Sequence, residues 1–336
     1  MLKIAVLGVG HLGEIHLKLL QNIKAYEIVG FYDPNNEKAE KVRAKYGVKR
    51  FTCLDKLLEI TDVVDIVTPT INHFELAKKA IELKKHVFIE KPLCHTLAEA
   101  EMLVKLVHKY GVKAQVGHVE RFNPAYLATK KETLQPKFIE THRLAMFNPR
   151  GNDVSVVLDL MIHDLDIILN IVKSPVKSVQ ANGMTLVTNF TDIANARIVF
   201  ENDCVANVTA NRVAMENRRK TCVFQDNDYI SIDFLHKERA VMQLSNQLTN
   251  DAQNVGRLTK NKTKSFTLKQ ADVKANNAIE MELSLFAESI INNSIEAVTV
   301  KEGFDAMKLA YQILNEIELS TIIPINNLQQ ICEIHA

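Results

Sequence analysis

The sequence predicts an α/β protein in which an N-terminal doubly wound parallel sheet is followed by a C-terminal α+β domain with a largely antiparallel sheet. Three observations predict it. Over the first third, short β-branched runs alternate with longer amphipathic segments, the pattern of parallel strands joined by crossover helices. A glycine-rich turn, Gly8-Val9-Gly10-His11-Leu12-Gly13, directly follows the first of those strands. From about residue 121 the rhythm changes to period-two alternation, which belongs to sheet with one buried face. The expected domains are therefore residues 1–120 and 121–336.

Bulk composition agrees with this division. The chain has 336 residues, 47% hydrophobic and 24% charged, enough for about two domains with separate cores. A formal net charge of +1, from 41 basic and 40 acidic residues, supplies no overall field for nucleic acid or an anionic membrane. Cys53, Cys94, Cys204, Cys222 and Cys332 are odd in number and contain no C-x-x-C, which argues for reduced thiols in a cytoplasmic setting and against a disulfide framework or a zinc knuckle. No apolar run approaches the roughly 18 residues that span a bilayer. The first apolar stretch, Ile4 to Leu7, is also too short for a secretory signal.

In chain order, strands are expected at Lys3–Leu7, Glu27–Tyr32, weakly at Arg50–Thr52, then at Val63–Val67, His86–Ile89 and Lys113–Val116. Between them Leu12–Ile23, Phe74–Leu83 and Leu97–Tyr110 repeat apolar residues three or four apart, as amphipathic helices do. The last of these opens on a capping box, Thr96 with Glu99, and stops before Gly111. Right-handed crossovers then wind the sheet in both directions and leave the ligand crevice at the carboxyl ends of the strands. In the second domain a helix is expected at Ser155–Ile171. Alternating strands follow at Ala194–Phe200, Cys204–Val213, Lys220–Phe224, Tyr229–Leu235 and Ala240–Leu244. In Cys204–Asn211 one face carries Cys204, Ala206, Val208 and Ala210. The polar stretch Asn246–Lys274 reads as a long loop, and Ala278–Ile291 and Phe304–Ile317 as helices that complete the second domain.

Chemistry concentrates at the carboxyl edge of the first sheet. The chain has only 11 glycines, yet three fall in Gly8–Gly13, between a strand and a helix, as in a Rossmann dinucleotide site. Gly8 allows the tight turn, Gly10 admits a pyrophosphate, and Gly13 lets helix and strand pack, with His11 and Leu12 opening the helix. Asp33 ends the second strand, twenty residues beyond Gly13, where a carboxylate accepts both adenosine ribose hydroxyls and repels a 2′-phosphate. NAD is therefore expected over NADP, with Lys38 nearby to soften the discrimination. Thr68, Pro69 and Thr70 end the fourth strand and are expected to flank the cofactor; Thr70 or Asn72 is equally eligible to cap the next helix. His73 reads equally as a cofactor contact or as a helix-terminal structural residue. Glu90-Lys91-Pro92 ends the fifth strand, where the Lys91 ammonium can favour a developing alkoxide. Asp159, His163 and Asp166 are spaced to share one helical face. An imidazole with a carboxylate beside it suits proton transfer near neutral pH. These residues offer no convincing third or fourth ligand, so no metal is expected.

The glycine turn, Thr68-Pro69, Glu90-Lys91-Pro92 and Asp159-x-x-x-His163, in this order, resemble the Gfo/Idh/MocA oxidoreductases over essentially the whole chain. The resemblance implies that Lys91 and His163 are the catalytic pair, that Asp159 binds substrate hydroxyls, and that Pro92 follows a cis peptide. It also implies a homodimer or homotetramer joined through the open face of the C-terminal sheet. Gly117-His118-Val119-Glu120-Arg121-Phe122-Asn123-Pro124 and Asp159–Asp164 look like members that oxidise UDP-N-acetylglucosamine at its 3-hydroxyl. On this resemblance His118, Arg121 and Asn123 are expected at the substrate, with Arg121, Arg143 and Arg150 available to a diphosphate. A cyclitol or free-sugar dehydrogenase is the alternative within the family. A non-catalytic NAD sensor or scaffold is the alternative from another class, and the presence of both Lys91 and His163 favours the enzyme.

Overall fold

A computed structural model describes residues 1–129, 134–148, 154–245 and 265–322. In chain order its elements begin with β1 (Leu2–Leu7), α1 (His11–Leu20), β2 (Tyr26–Tyr32), α2 (Asn36–Tyr46), β3 (Arg50–Phe51), α3 (Leu54–Glu59) and β4 (Val63–Ile66). Next come α4 (His73–Glu82), β5 (His86–Glu90), α5 (Leu97–Tyr110), β6 (Ala114–Gly117) and the short α6 (Pro124–Leu127). Then follow β7 (Phe138–Leu144), α7 (Ile162–Val172), β8 (Val176–Met184), β9 (Ile193–Phe200), β10 (Val205–Asn211), β11 (Arg218–Gln225) and β12 (Asp228–Asp233). The series closes with β13 (Glu238–Ser245), β14 (Ser265–Gln270), α8 (Ala278–Ile291) and α9 (Val300–Ile322).

Two compact units form. The described residues of the first fall within Met1–Glu132, His236–Arg239 and Ala271–Lys308; those of the second fall within Thr133–Leu235, Ala240–Gln270 and Leu309–Ala336.

The first unit is built on a six-stranded sheet of order β3-β2-β1-β4-β5-β6, parallel throughout. This is the strand order of a dinucleotide-binding sheet, which reverses direction beside β1. Helices on both faces require the central strands to be apolar on both sides, and Ile4, Ala5, Val6 and Leu7 are all fully buried. The expected capping box is present: Thr96 Oγ1 accepts the Glu99 N–H at 3.2 Å, and Glu99 accepts the Thr96 N–H at 2.9 Å. Gly111, with φ of 65°, ends α5 in the left-handed conformation.

One helix belongs elsewhere than expected. Helix α8, read from the sequence as part of the second domain, packs in the first unit, where Leu283, Phe286 and Ala287 join the core formed by Ile4, Val6 and Phe88. The Tyr26 hydroxyl donates to the Leu283 carbonyl at 3.0 Å, and the Gln115 side-chain amide donates to the Glu282 carbonyl at 3.0 Å. Period-3.6 spacing gave α8 an apolar face without naming its partner, and that choice depends on contacts more than 150 residues apart in sequence.

The second unit carries an eight-stranded sheet of order β14-β13-β12-β11-β7-β10-β9-β8. β14 with β13, β12 with β11, β11 with β7, β10 with β9 and β9 with β8 pair antiparallel, whereas β7 and β10 run parallel. The alternation expected along Cys204–Asn211 is present, with Cys204, Ala206, Val208 and Ala210 at 0% exposure. Strands β7 and β8 escaped the sequence reading because charged and polar residues break their alternation, as Glu140, His142 and Arg143 do in β7. Strand β14 lies in a stretch read as loop. It takes its order from pairing with β13, Ala240 to Ser245 against Gln270 to Ser265; the remainder of that stretch, 246–264, is outside the described residues. Among the described residues no helix is long and apolar enough to cross a membrane.

Tyr26→Phe tests the anchoring of α8. Removing the hydroxyl should cost about 1 kcal/mol, the usual net value of one buried hydrogen bond, and lower the denaturant midpoint of unfolding. An unchanged midpoint would show that the Tyr26 hydroxyl contributes nothing to holding α8.

Candidate active site

The glycine turn shows three different reasons for being glycine. At Gly8, with φ of +87°, a Cβ would lie 2.8 Å from the Val67 carbonyl; at Gly13 it would lie 2.0 Å from the Gly8 carbonyl. Those two positions are closed by packing. At Gly10 a Cβ would meet nothing nearer than the Lys38 ammonium at 3.5 Å, so this position keeps the space over the α1 N-terminus clear. Gly10 is the N-cap of α1 and has no side chain to cap it, which leaves the first-turn amides pointing toward that space. His11 is exposed and Leu12 half-buried at the same end.

Asp33 follows β2. One carboxylate oxygen accepts the Val9 N–H at 2.9 Å and the other accepts the Asn35 N–H at 2.8 Å. A carboxylate has about four acceptor positions, so each oxygen keeps capacity for a ribose hydroxyl. Thr68 has a buried hydroxyl with no hydrogen-bond partner among the described residues. These features fit a bound dinucleotide: an open glycine at a helix N-terminus, a carboxylate at the end of β2, and an orphaned hydroxyl at the end of β4.

His73 bridges two turns at the strand ends. It is 1% exposed, with Nδ1 at 3.0 Å from the Pro92 carbonyl and Nε2 at 2.8 Å from the Thr68 carbonyl. Its ring therefore ties the Thr68-Pro69-Thr70 loop to the turn at Pro92. Burial pushes its pKa below the ordinary histidine range, although both carbonyls oppose the shift. Pro69 is exposed, and Thr70 begins a 3₁₀ turn through Asn72.

Lys91 is half-buried at the end of β5, and the Lys91–Pro92 peptide is cis. Its N–H donates to Glu90 Oε2 at 3.1 Å. Glu90 Oε1 lies 3.3 Å from His16 Nε2, and His16 Nδ1 lies 3.0 Å from Asp65 Oδ2. The sequence reading passed over His16 and Asp65. Their signal was an acid inside the apolar run Val63-Val64-Asp65-Ile66-Val67, where a buried parallel strand has no use for charge. A fourth ionisable group, Glu282 on α8, is fully buried with no partner for either carboxyl oxygen among the described residues. Burial pushes its carboxyl well above the usual carboxylate range; Glu90 and Asp65 add to the shift and His16 opposes it.

In the second unit the helix bearing Asp159 and His163 opens as a π-helical turn, Val157–Met161, before continuing as α7. Asp159 lies on that turn, so the four-residue step to His163 does not follow the 3.6-residue period assumed from sequence; such turns are frequent at functional sites. Both residues are half-buried. The start of this helix is anchored by Arg212, which donates to the Val154 carbonyl at 2.7 Å, and by the Val156 N–H, which donates to the Thr191 carbonyl at 2.8 Å. Asp192 steadies the same region by accepting the Leu186, Val187 and Thr188 N–H groups. Asp166, expected on the same face as His163, is buried at 1% exposure.

Several residues expected at the substrate are committed within the fold. Arg143 is 3% exposed and paired with Asp164 through two hydrogen bonds of 2.7 and 3.1 Å. Arg121 is also 3% exposed and pairs with Glu302 at 3.1 Å. Asn123 accepts the Ala125 N–H as the cap of α6 and donates to Glu120. Their burial and their protein partners could not be seen from residue type. His118 is buried at 1% exposure. Arg150 lies outside the described residues.

Comparison with known proteins agrees with this geometry. The oxidoreductase family GFO/IDH/MocA, NAD-binding Rossmann fold, matches residues 2–118, and the GFO/IDH/MocA C-terminal domain matches residues 133–231. A UDP-N-acetylglucosamine 3-dehydrogenase of Acidithiobacillus ferrooxidans is 36% identical over 236 residues, 70% of this chain and 75% of that protein. The scyllo-inositol 2-dehydrogenase (NAD(+)) of Bacillus subtilis is 30% identical over 231 residues, 62% of this chain and 67% of that protein. A solved structure of the Acidithiobacillus enzyme superposes with a TM-score of 0.87 at 30% identity, covering 95% of this chain and 98% of that one.

Glu282 makes a pH-dependent prediction. In the unfolded chain it ionises near its ordinary value, whereas in the fold it retains its proton to higher pH. Its contribution to stability is therefore complete below the unfolded value and lost as pH rises through the folded one. Glu282→Gln cannot ionise, so its Tm should rise relative to the wild type between about pH 4 and about pH 8. A gap that stays constant across that range would show that Glu282 is ionised in the fold.

Proposed function

The chain belongs to the GFO/IDH/MocA oxidoreductase family and is an NAD-dependent oxidoreductase acting on a CH–OH group; from that premise we propose that it oxidises a ring hydroxyl of a sugar nucleotide, first among them the 3-hydroxyl of UDP-N-acetylglucosamine. The observation that carries this reading is the likeness to the Acidithiobacillus enzyme over 95% of the chain. His118, Arg121 and Asn123 remain assigned to the substrate on the family resemblance; Arg121 and Arg143 also serve ion pairs within the fold.

We assign the cofactor to residues 1–120 and the substrate to 121–336, where the sheet also offers the surface for a homodimer or homotetramer in the cytoplasm. NAD, when bound, supplies the acceptor for the electron pair of the breaking C–H bond. Gly8, Gly10 and Gly13, with the amides of His11, Leu12 and Gly13 at the α1 N-terminus, hold its diphosphate. Asp33 accepts ribose hydroxyls, and Thr68, Pro69, Thr70 and Glu90 border the site at the strand ends. His163 takes the proton of the reacting hydroxyl, and Lys91 donates a hydrogen bond to its oxygen as negative charge grows there. Asp159 orients the ring through a neighbouring hydroxyl.

Two experiments test this. Lys91→Met and His163→Ala should each lose turnover by about two to four orders of magnitude, the scale of a positioned proton-transfer group, with little change in NAD affinity; near-wild-type turnover in both would remove them from the chemistry. A panel of UDP-sugars, free hexoses and inositols, followed by NADH absorbance, should give the fastest turnover with UDP-N-acetylglucosamine. Turnover of inositol or glucose with none of any UDP-sugar would make the protein a cyclitol or free-sugar dehydrogenase. NAD binding with turnover of no member of the panel would favour a sensor.

A further inference from the structure

We propose that His16 is a positioning residue for the reaction: from the core of the first unit it fixes the Glu90 carboxylate that in turn holds the main chain at Lys91. The inference rests on the reading of Lys91 as the group that meets the reacting oxygen. The chain of contacts is short. Asp65 Oδ2 holds His16 Nδ1 at 3.0 Å, His16 Nε2 faces Glu90 Oε1 at 3.3 Å, and Glu90 Oε2 accepts the Lys91 N–H at 3.1 Å. The Glu90 side chain lies in space that a glycine leaves open. Opposite it on β6 stands Gly117, where a Cβ would lie 2.8 Å from Oε1. Beyond Lys91 the Pro92 carbonyl is held by His73 at 3.0 Å. Buried histidines therefore pin the turn immediately before and immediately after the residue whose side chain must be placed.

Stability alone is a poor explanation for this arrangement. His16 and Asp65 are completely buried, and replacing a buried ion pair by apolar side chains of similar volume is often neutral or stabilising. Every other position of β4 is apolar. A local rule broken in a well-packed core marks a functional constraint more often than a structural one.

Electrostatics supports the same role. The groups facing His16 are Asp65 from β4, Glu90 from β5 and Glu282 from α8, with the Phe88 ring edge-on at 5.9 Å; the Tyr26 hydroxyl of β2 is directed to the Leu283 carbonyl. Burial opposes the imidazolium, but Asp65 and Glu90 outweigh it and hold His16 well above its ordinary range. A protonated ring presents positive charge to both carboxylates: Nδ1 is hydrogen-bonded to Asp65, while Nε2 makes an ion-pair contact with Glu90 without the geometry of a hydrogen bond. A neutral ring would turn a lone pair toward one of them.

The test is a double-mutant cycle on the full-length protein. His16→Gln and the near-isosteric Asp65→Asn are each made in the wild-type and Lys91→Met backgrounds. Turnover, the NAD dissociation constant and circular dichroism are measured for all. In the wild-type background each should lower kcat by about 10- to 100-fold, the usual effect of a group that orients a reacting residue, while NAD affinity stays within about threefold. In the Lys91→Met background neither should lower it further. If His16→Gln does not fold, Asp65→Asn carries the test. Unchanged kcat in the wild-type background, or equal losses in both backgrounds, would overturn the positioning role and leave Lys91 in place. Wild-type turnover by Lys91→Met itself would overturn the reading of Lys91, and this inference with it.

Discussion

The functional edge of the first unit depends on how closely α1 approaches the turn that precedes it. A Cβ on Gly13 would lie 2.0 Å from the Gly8 carbonyl, so only glycine lets the helix settle there. That approach has two consequences. The α1 N-terminus comes to stand over the open position at Gly10, where unpaired amides and the helix dipole favour an anion. One turn further on, the same helix puts His16 into the core between Asp65 and Glu90. The recognition of a dinucleotide and the bracing of Lys91 thus share one close contact between backbones.

The two units handle buried charge differently. In the second, carboxylates are matched by fixed donors: Asp164 by both arms of the Arg143 guanidinium, Asp192 by three successive amides and the Thr188 hydroxyl. The amides and hydroxyl hold Asp192 far below the usual carboxylate range despite its burial. Such sites are rigid and insensitive to pH near neutrality. In the cluster around His16 in the first unit, acids outnumber donors, and protons make up the difference. His16 gains one between two carboxylates, and burial favours a proton on Glu282. A rigid scaffold holds the helix of Asp159 and His163, while a titratable one underlies Lys91. Asp159 and His163 stand on one helix and Lys91 directly follows β5, and anchoring to regular elements limits how far a side chain can drift.

Much of this was legible before the fold was known. The glycine turn, the carboxylate at Asp33, the Glu90-Lys91-Pro92 strand end and the spacing from Asp159 to His163 depend on neighbours a few residues away. Local chemistry of that kind is written in the residue types. The first sheet was legible for a related reason: its strands are buried on both faces, so each is a continuous apolar run. Strands β7 and β14 were not, because one open face of an antiparallel sheet tolerates the charges and threonines that disguise the alternation.

The sequence by itself determined the class of fold, the dinucleotide turn and the identity of the residues proposed for proton transfer. Tertiary structure alone decided which partners the polar residues meet inside the fold. Arg121, Arg143 and Asn123 have the chemistry of ligand-binding groups, and in the fold they also meet Glu302, Asp164 and Ala125 with Glu120. His73 was equally eligible for cofactor or structure until both its ring nitrogens were found against main-chain carbonyls. His16, Asp65 and Glu282 look like isolated deviations in sequence and become one network only when α1, β4 and α8 meet. The physical reason is the same in each case. A polar side chain has the same donors and acceptors wherever it stands, and what they do depends on the partner that folding brings within about 3 Å.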